Sequence, residues 1–243
     1  MKENYTSYEY FVGKIAPFLL FEMEFHGLSY VVENHKNDRW YPDINPAAQV
    51  ANIGLLSYFE AFCKHQFAAI LNLFPSIILD FATKRGEPKI EISTVVGYGD
   101  NFKKNVGFLL AESYDFGSPK AINSLFCDIL KVSPFSKDEE KTMNEIIHRR
   151  NLIVHHGGYL THQYVSRKGP KALTVKPFKD EIKIGTDDYY TNADFLFEMA
   201  IKIVKCTVKS LKKFPEYIAL DPNDDRIKAV SEMLRGIHDT MEE

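Results

Sequence analysis

The sequence predicts a mainly α-helical fold with a small β-hairpin or sheet inserted at about residues 159–190. Apolar side chains recur at spacings of three and four in several long segments, which is the period of a helix with one buried face. Helix start and stop signals flank the clearest of these segments. The insertion instead is rich in β-branched and aromatic residues (YLTHQYV, ALTVKPF, EIKIG), a composition typical of strands.

The predicted elements follow one another along 243 residues without a repeat or a linker rich in Pro, Gly and Ser. We expect helices at about residues 8–36, from 47 to a break at Pro75, 118–132, 137–156, 192–213 and 223–240. Residues 86–101 contain a short β-like run, IEISTVVGYGD, with a turn at the glycines. The chain is therefore expected to form one domain over residues 1–243, with its core at about 47–213.

The composition favours a cytoplasmic protein that makes no use of a membrane. Its hydrophobic fraction of 45% is sufficient for a sizeable core. The first residues lack the profile of a signal peptide, and no charge-free run approaches the ~18 apolar residues of a membrane span. Cys63, Cys127 and Cys206 are far apart in apolar surroundings, which predicts buried free thiols in a reducing compartment.

Positive charge is concentrated in two regions of a chain whose net charge is −3. Between Lys141 and Lys183, nine Lys or Arg and three Asp or Glu give a local charge of +6, so the remainder carries −9. A second basic group is formed by Lys202, Lys205, Lys209, Lys212 and Lys213. Such surfaces suit a phosphate backbone, although solvated helix faces have the same composition.

The most polar helix end lies in EIIHRRNLIVHHGGYL, residues 145–160. Ser136 and Glu139 form a capping-box pattern that begins this helix, and Gly157–Gly158 ends it. At 100° per residue, Arg150 lies within an apolar arc made of Met143, Ile146, Ile147, Ile153 and Val154. A second, polar stripe consists of Asn144, His148, Asn151 and His155.

An arginine on an apolar arc is costly unless a partner or an interface receives its charge. Glu60, on the apolar stripe of the preceding long helix, is a candidate partner for Arg150. A surface pair between Glu60 and Lys64, four residues apart, explains this glutamate equally well.

His155 lies in the last helical turn, where the helix dipole favours the charged imidazolium. A histidine beside a fixed guanidinium suits RNA cleavage by the RNA's own 2′-hydroxyl, since one group moves a proton and the other offsets phosphate charge. This chemistry needs no metal or other cofactor. A polar helix end whose histidines bond to nearby carbonyls is the alternative. A metal site made of His148, His155, His156 and His162 is disfavoured, because no H-E-x-x-H or C-x-x-C pattern accompanies them.

The run R-N-x-x-x-H at a helix end, followed by Gly-Gly, resembles the R-x(4–6)-H signature of the HEPN superfamily of α-helical RNases and RNA-binding domains. Arg150, Asn151 and His155 match it, and the spacing alone also accepts Arg149 or His156. The element Glu60-x-x-x-Lys64 is similar to an E-x(3)-K element of some members. Members paired with a nucleotidyltransferase antitoxin often carry a tyrosine two residues after the histidine, where this chain has Gly157.

The resemblance implies a HEPN-like helical bundle that dimerises so that two motifs face one cleft. It implies a metal-independent endoribonuclease, often a toxin or antiviral defence effector with a regulatory or antitoxin partner. In such an enzyme Arg150 stabilises the phosphate, Asn151 orients the scissile nucleotide and His155 transfers protons. The supporting residues are then Glu60, Lys64, His148, Arg149 and His156, and the RNA-guiding residues are Arg167, Lys168, Lys171, Lys205 and Lys209.

Two other functions are compatible with the sequence. A non-catalytic HEPN-like module that binds RNA or a partner protein explains the basic segments, but it has no need of a histidine at the motif spacing. An all-α scaffold without a nucleic-acid role agrees with the net charge, but not with the local charge of +6 beside the motif.

Overall fold

A computed structural model describes residues 5–38, 44–87, 89–167 and 175–237 of the chain. These residues form eleven α-helices and three short 3₁₀ helices, and no strand occurs among them. The prediction of a mainly α-helical protein is confirmed. No helix in these ranges is both long and apolar enough to cross a membrane.

The helices are numbered in chain order. Their bounds are α1 Pro17–Asn34, α2 Pro46–Leu73, α3 Ile77–Arg85, α4 Ile92–Tyr98, α5 Phe102–Ala111, α6 Pro119–Leu130, α7 Lys137–His156, α8 His162–Arg167, α9 Thr186–Leu211, α10 Pro215–Ile218 and α11 Asp225–Glu232. The 3₁₀ helices span Tyr5–Tyr10, Val12–Lys14 and Gly99–Asn101.

The helices divide between two compact units. The first unit comprises Met1–Met23, Phe59–Phe135 and Phe197–Glu243, and the second comprises Glu24–Tyr58 and Ser136–Leu196. The predicted motif helix, α7, belongs to the second unit.

The core of the first unit is a cluster of aromatic rings around Phe67 of α2. The ring centroid of Phe67 lies 5.5–6.2 Å from those of Phe81, Tyr114, Phe116 and Phe126, each at a steep interplanar angle. Edge-to-face pairs of this kind contribute about 0.5–1.5 kcal/mol beyond the area they bury. The sequence predicts an apolar stripe along α2, and its members Leu56, Phe59, Cys63, Phe67, Ile70 and Phe74 are fully buried, whereas Ile53 is half-buried.

The second unit contains polar contacts between its helices as well as apolar ones. The Nδ2 of Asn192 in α9 donates to the Oδ1 of Asn52 in α2 at 2.8 Å. The hydroxyl groups of Ser29 in α1 and Tyr189 in α9 lie 3.1 Å apart. Because buried polar groups are costly without partners, these pairs set the register of α9 against α1 and α2.

Most predicted helices are found within a few residues of their expected bounds, but the first begins late. Helix α1 starts at Pro17, not at about residue 8. Gly13 and Lys14 both have φ near +60°, in the left-handed region, so the preceding chain turns as 3₁₀ helix.

Helix α9 begins earlier than predicted and α11 ends earlier. Asp187 and Asp188 in the first turn of α9 interact favourably with the helix dipole, which extends the helix toward its amino end. In the predicted helix 223–240, the structure shows α11 over Asp225–Glu232, and residues 238–240 lie outside the described ranges.

The β-like run IEISTVVGYGD is a helix, so that part of the prediction is wrong. Residues Ile92–Tyr98 form α4, and a 3₁₀ helix follows at once. The β-branched residues Ile92 and Val96 are 81% and 74% exposed. Strand propensity reflects packing on a half-buried sheet, and the described residues offer no strand with which this run could pair.

The predicted hairpin or sheet at 159–190 is also wrong for the described residues. A single isolated antiparallel bridge joins Tyr159 and Glu181. The hydroxyl of Thr161 accepts a hydrogen bond from the backbone N–H of Tyr164 at 3.2 Å, and this cap begins α8 where a strand was expected. Residues 168–174 lie outside the described ranges.

The three cysteines are free thiols in different environments. Cys63 is fully buried, and burial raises its pKa well above the usual value. Burial also raises the pKa of Cys206 to about 11. Cys127, predicted to be buried, is exposed, because it lies on the outward stripe of α6 near Ser124.

A thiol reagent at neutral pH is expected to label Cys127 in the folded protein well before the other two cysteines. The thiolate is the reactive form, so burial and a raised pKa both slow Cys63 and Cys206. Labelling followed by peptide mass spectrometry measures this order. Cys127→Ser is expected to remove the fast phase and Cys206→Ser to leave it, and a fast phase that persists in Cys127→Ser contradicts the assignment.

Candidate functional site

The motif helix α7 has strong signals at both ends. Ser136 and Glu139 form the predicted capping box: the hydroxyl of Ser136 accepts from the N–H of Glu139, and the N–H of Ser136 donates to the Glu139 carboxylate at 2.6 Å. Gly157 ends the helix with φ of +61°, and the N–H of Gly158 donates to the carbonyl of Leu152 at 3.0 Å. Both glycines have positive φ, which allows the chain to turn back alongside α7 after the helix ends.

An open cleft of about 370 Å³ lies between the last two turns of α7 and the short helix α8. It is lined by His148, Asn151, Leu152, His155, His156, Thr161, Gln163, Tyr164 and Arg167. Three members of the predicted polar stripe, at positions 148, 151 and 155, therefore share one cleft. His155 and His156 are exposed, and Asn151 is half-buried.

Arg167 lies against His148 at the side of this cleft. Its Nη1 is 3.1 Å from Nε2 and 3.4 Å from Nδ1 of the imidazole. A guanidinium only donates, so the ring nitrogen that receives this hydrogen bond carries no proton. The pair thus brings a fixed positive charge next to an imidazole nitrogen whose lone pair accepts this hydrogen bond.

Tyr164 connects α8 to α7 through a hydrogen bond between side chains. Its hydroxyl donates to the carboxylate of Glu145 at 2.6 Å. Burial, and secondly this carboxylate, raise the pKa of Tyr164 above its usual value. The phenol therefore stays protonated across the physiological pH range, and its hydrogen bond holds α8 against α7 at the wall of the cleft.

Arg149 does not line the cleft. Its Nη2 donates to the carboxylate of Asp188 at 2.8 Å and to the carbonyl of Lys183 at 3.1 Å. The other carboxylate oxygen of Asp188 accepts from the N–H of Gly185 at 3.0 Å. Arg149, one of the two arginines that satisfy the motif spacing, therefore connects α7 to the start of α9.

Arg150 is half-buried and also lies outside the cleft lining. Its Nε is shielded from solvent. Met143, Ile146, Ile147 and Ile153 of the predicted apolar arc are buried, whereas Val154 is 47% exposed. Glu60 and Lys64 are half-buried on the part of α2 that belongs to the first unit. The pairing of Glu60 with Arg150 stays a prediction.

The predicted RNA-guiding residues are distributed unevenly. Arg167 lines the cleft, and Lys168 and Lys171 lie outside the described residues. Lys205 and Lys209 are exposed on α9 in the first unit. Among the described residues, no group of three or more His, Cys, Asp or Glu is arranged to hold a metal ion.

Sequence reasoning missed the contribution of α8 to the site. Thr161, Gln163 and Tyr164 line the cleft, but their segment was interpreted as a strand. The sequence did contain a signal for this helix, because Thr161, three residues before Tyr164, is a residue type that caps helices.

Comparison of the chain with protein-family models, with curated proteins and with solved structures found no match. The resemblance to the HEPN superfamily therefore rests on the motif and its place at the end of α7.

Proposed function

We propose that this chain is a metal-independent endoribonuclease that cleaves RNA through the RNA's own 2′-hydroxyl. The observation that supports it is the cleft in which His148, Asn151 and His155 meet Arg167. Two imidazoles supply a base and an acid, and a guanidinium and an amide supply donors for phosphate oxygens. The cleft is open, as a polymer substrate requires.

The proposed reaction needs only proton transfers. The 2′-oxygen attacks phosphorus while its proton passes to His148, and the bond from phosphorus to the 5′-oxygen breaks while His155 gives that oxygen a proton. The products are a 2′,3′-cyclic phosphate and a 5′-hydroxyl. The two histidines are seven positions apart, about 10 Å along the helix axis, with Asn151 between them to orient the phosphate.

The environments of the two histidines suit these different roles. While His148 accepts from Arg167, that ring nitrogen carries no proton, and it becomes free to act as a base when the guanidinium turns to the phosphate. His155 is exposed in the last turn of α7 and lines the cleft, so its imidazole is accessible to the leaving oxygen, which suits an acid. Arg167 then offsets the charge that develops on the phosphate.

The resemblance extends this proposal to a homodimer and to a toxin or defence effector with a regulatory or antitoxin partner. In the dimer, Arg150 of each copy contributes to a shared cleft. Arg150→Ala and Arg167→Ala separate the two sources of positive charge. A loss of cleavage only in Arg167→Ala favours the cleft of a single chain, and a loss only in Arg150→Ala favours the shared one.

The test is incubation of the purified chain with total RNA and tRNA in EDTA, with His155→Ala alongside. We expect cleavage with 2′,3′-cyclic phosphate ends, and no cleavage at a site whose nucleotide lacks the 2′-hydroxyl. Cleavage that requires added metal, or that proceeds at a 2′-deoxy site, contradicts the proposed chemistry.

A non-catalytic RNA-binding module is the second candidate, and the positive charge of the segment from Lys141 to Lys183 favours it. Its test is RNA binding by the double variant Arg150→Ala/His155→Ala at increasing salt. Binding that weakens with salt, without cleavage by the wild-type chain, supports this function over the nuclease.

A further inference from the structure

A second cavity lies wholly within the first unit, between the amino-terminal 3₁₀ segment and the region of α4 and α5. Its volume is about 630 Å³, within the range of small-molecule sites. It is lined by Glu9, Phe11, Val12, Gly13, Lys14, Gly97, Tyr98, Asn101, Lys104, Asn105 and Phe108. None of these residues takes part in the proposed nuclease chemistry.

Two lysines and one glutamate make one side of this cavity a position for an anion. The ammonium of Lys104 forms an ion pair with the Glu9 carboxylate and lies 5.8 Å from the ring centroid of Tyr10. The hydrogen bond and charge of Lys104, and then the charge of Lys14, lower the pKa of Glu9. Among the residues that line the cavity, two ammonium groups thus face one carboxylate, while Asp225, outside the lining, adds negative charge near Glu9 and Lys104.

The backbone at Lys14 is held in an unfavourable conformation beside the cavity. Both Gly13 and Lys14 have φ of +60°, which for a residue with a side chain costs roughly 1–2 kcal/mol. A Cβ added at Gly13 meets no atom within 4 Å, so this bend borders open space. A strained backbone persists only where the surrounding structure holds it in place, and such residues cluster at binding and active sites.

The remaining lining supplies flat and hydrogen-bonding surfaces. Phe11, Tyr98 and Phe108 contribute aromatic rings, and Asn101 and Asn105 contribute amides. The Nδ2 of Asn105 donates to the carbonyl of Asn101 at 2.8 Å, which orients this side chain. Sites for small organic ligands typically combine a small number of polar groups that point into the cavity with apolar and aromatic surfaces.

We propose that this cavity binds a small organic phosphate carrying a flat ring, with the phosphate at Lys14 and Lys104 and the ring against Tyr98 or Phe108. Each lysine ammonium has three donors, so Lys104 keeps Glu9 as one acceptor while it binds the ligand. The proposal is independent of the nuclease, because the cavity and the cleft belong to different units.

The test is equilibrium dialysis of the full chain with AMP, inorganic phosphate or adenosine as probes. We expect saturable binding of one AMP per chain, weaker binding of phosphate and of adenosine, and affinity that falls with salt. Loss of a charged hydrogen bond in Lys104→Ala or Lys14→Ala is expected to weaken AMP binding about tenfold or more. Lys103→Ala, an exposed neighbour on α5 that does not line the cavity, is the matched control.

Two further variants make the result decisive. Glu9→Gln keeps the size of the side chain and removes the competing charge, so it is expected to strengthen AMP binding even if Lys104→Ala folds poorly. His155→Ala is expected to bind AMP like the wild type, whatever its effect on RNA cleavage. No saturable AMP binding, weaker binding in Glu9→Gln, equal loss in Lys103→Ala, or loss in His155→Ala overturns the proposal.

Discussion

Replacing His155 with alanine is expected to slow RNA cleavage by about 10²- to 10⁴-fold, the usual contribution of a positioned acid or base. His148→Ala is expected to have an effect of similar size, because the reaction needs a proton accepted at one oxygen and donated at another. The double variant is expected to be little slower than either single variant, since groups that act in one step are not additive. Initial rates on a defined RNA in EDTA measure these effects.

His162 provides a matched control for the variants at His148 and His155. This histidine is exposed on α8, next to the cleft in sequence, but it does not line the cleft. His162→Ala is therefore expected to cleave at the wild-type rate. Equal losses in all three variants would indicate a general effect on α8 or on folding, and full activity in His155→Ala would remove the nuclease proposal's main residue.

Chemical rescue separates proton transfer from a structural role. Added imidazole is expected to restore part of the activity of His155→Ala, because the free base can occupy the space left in an open cleft. It is not expected to rescue Arg167→Ala, because imidazole cannot reproduce the planar fork of N–H donors of a guanidinium. No rescue, together with an unchanged fold by circular dichroism, would argue that His155 acts only by positioning.

Replacing Gly107 with alanine is expected to destabilise the protein by about 3 kcal/mol, the upper end of the usual cost of overpacking a core. A Cβ at this position would lie 2.1 Å from the carbonyl oxygen of Ala68 and 2.8 Å from the Oδ1 of Asn72. The first of these atoms is helix backbone and cannot move without bending α2. The N–H of Gly107 also donates to Asn72 at 2.7 Å, so a shift of α5 breaks that buried bond as well.

Gly27→Ala is the matched control for this variant. Gly27 is also inside a helix, but a Cβ there would meet nothing within 4 Å. Alanine has the higher helix propensity, so this change is expected to stabilise the protein by up to about 1 kcal/mol. Urea unfolding of both variants measures the difference, and a Gly107→Ala protein at least as stable as the wild type contradicts the close approach of α5 and α2.

The helices were predictable where a local signal was strong. The spacing of apolar residues in α2 and the capping box of α7 predicted these helices to within about two residues. Prediction failed at Ile92–Tyr98 and at 159–190, where β-branched residues indicated strands. A strand needs a partner, and the sequence does not state whether one is present, whereas a helix satisfies its own backbone.

The sequence by itself determined that α7 ends in a polar stripe stopped by two glycines, because helix period and capping are properties of neighbouring residues. Only the tertiary structure decided that α8 folds back to make a cleft with that stripe. It also assigned Arg149 to Asp188 and Arg167 to His148. These choices depend on side chains 19 to 39 residues apart, and a helical wheel contains no information about what packs against it.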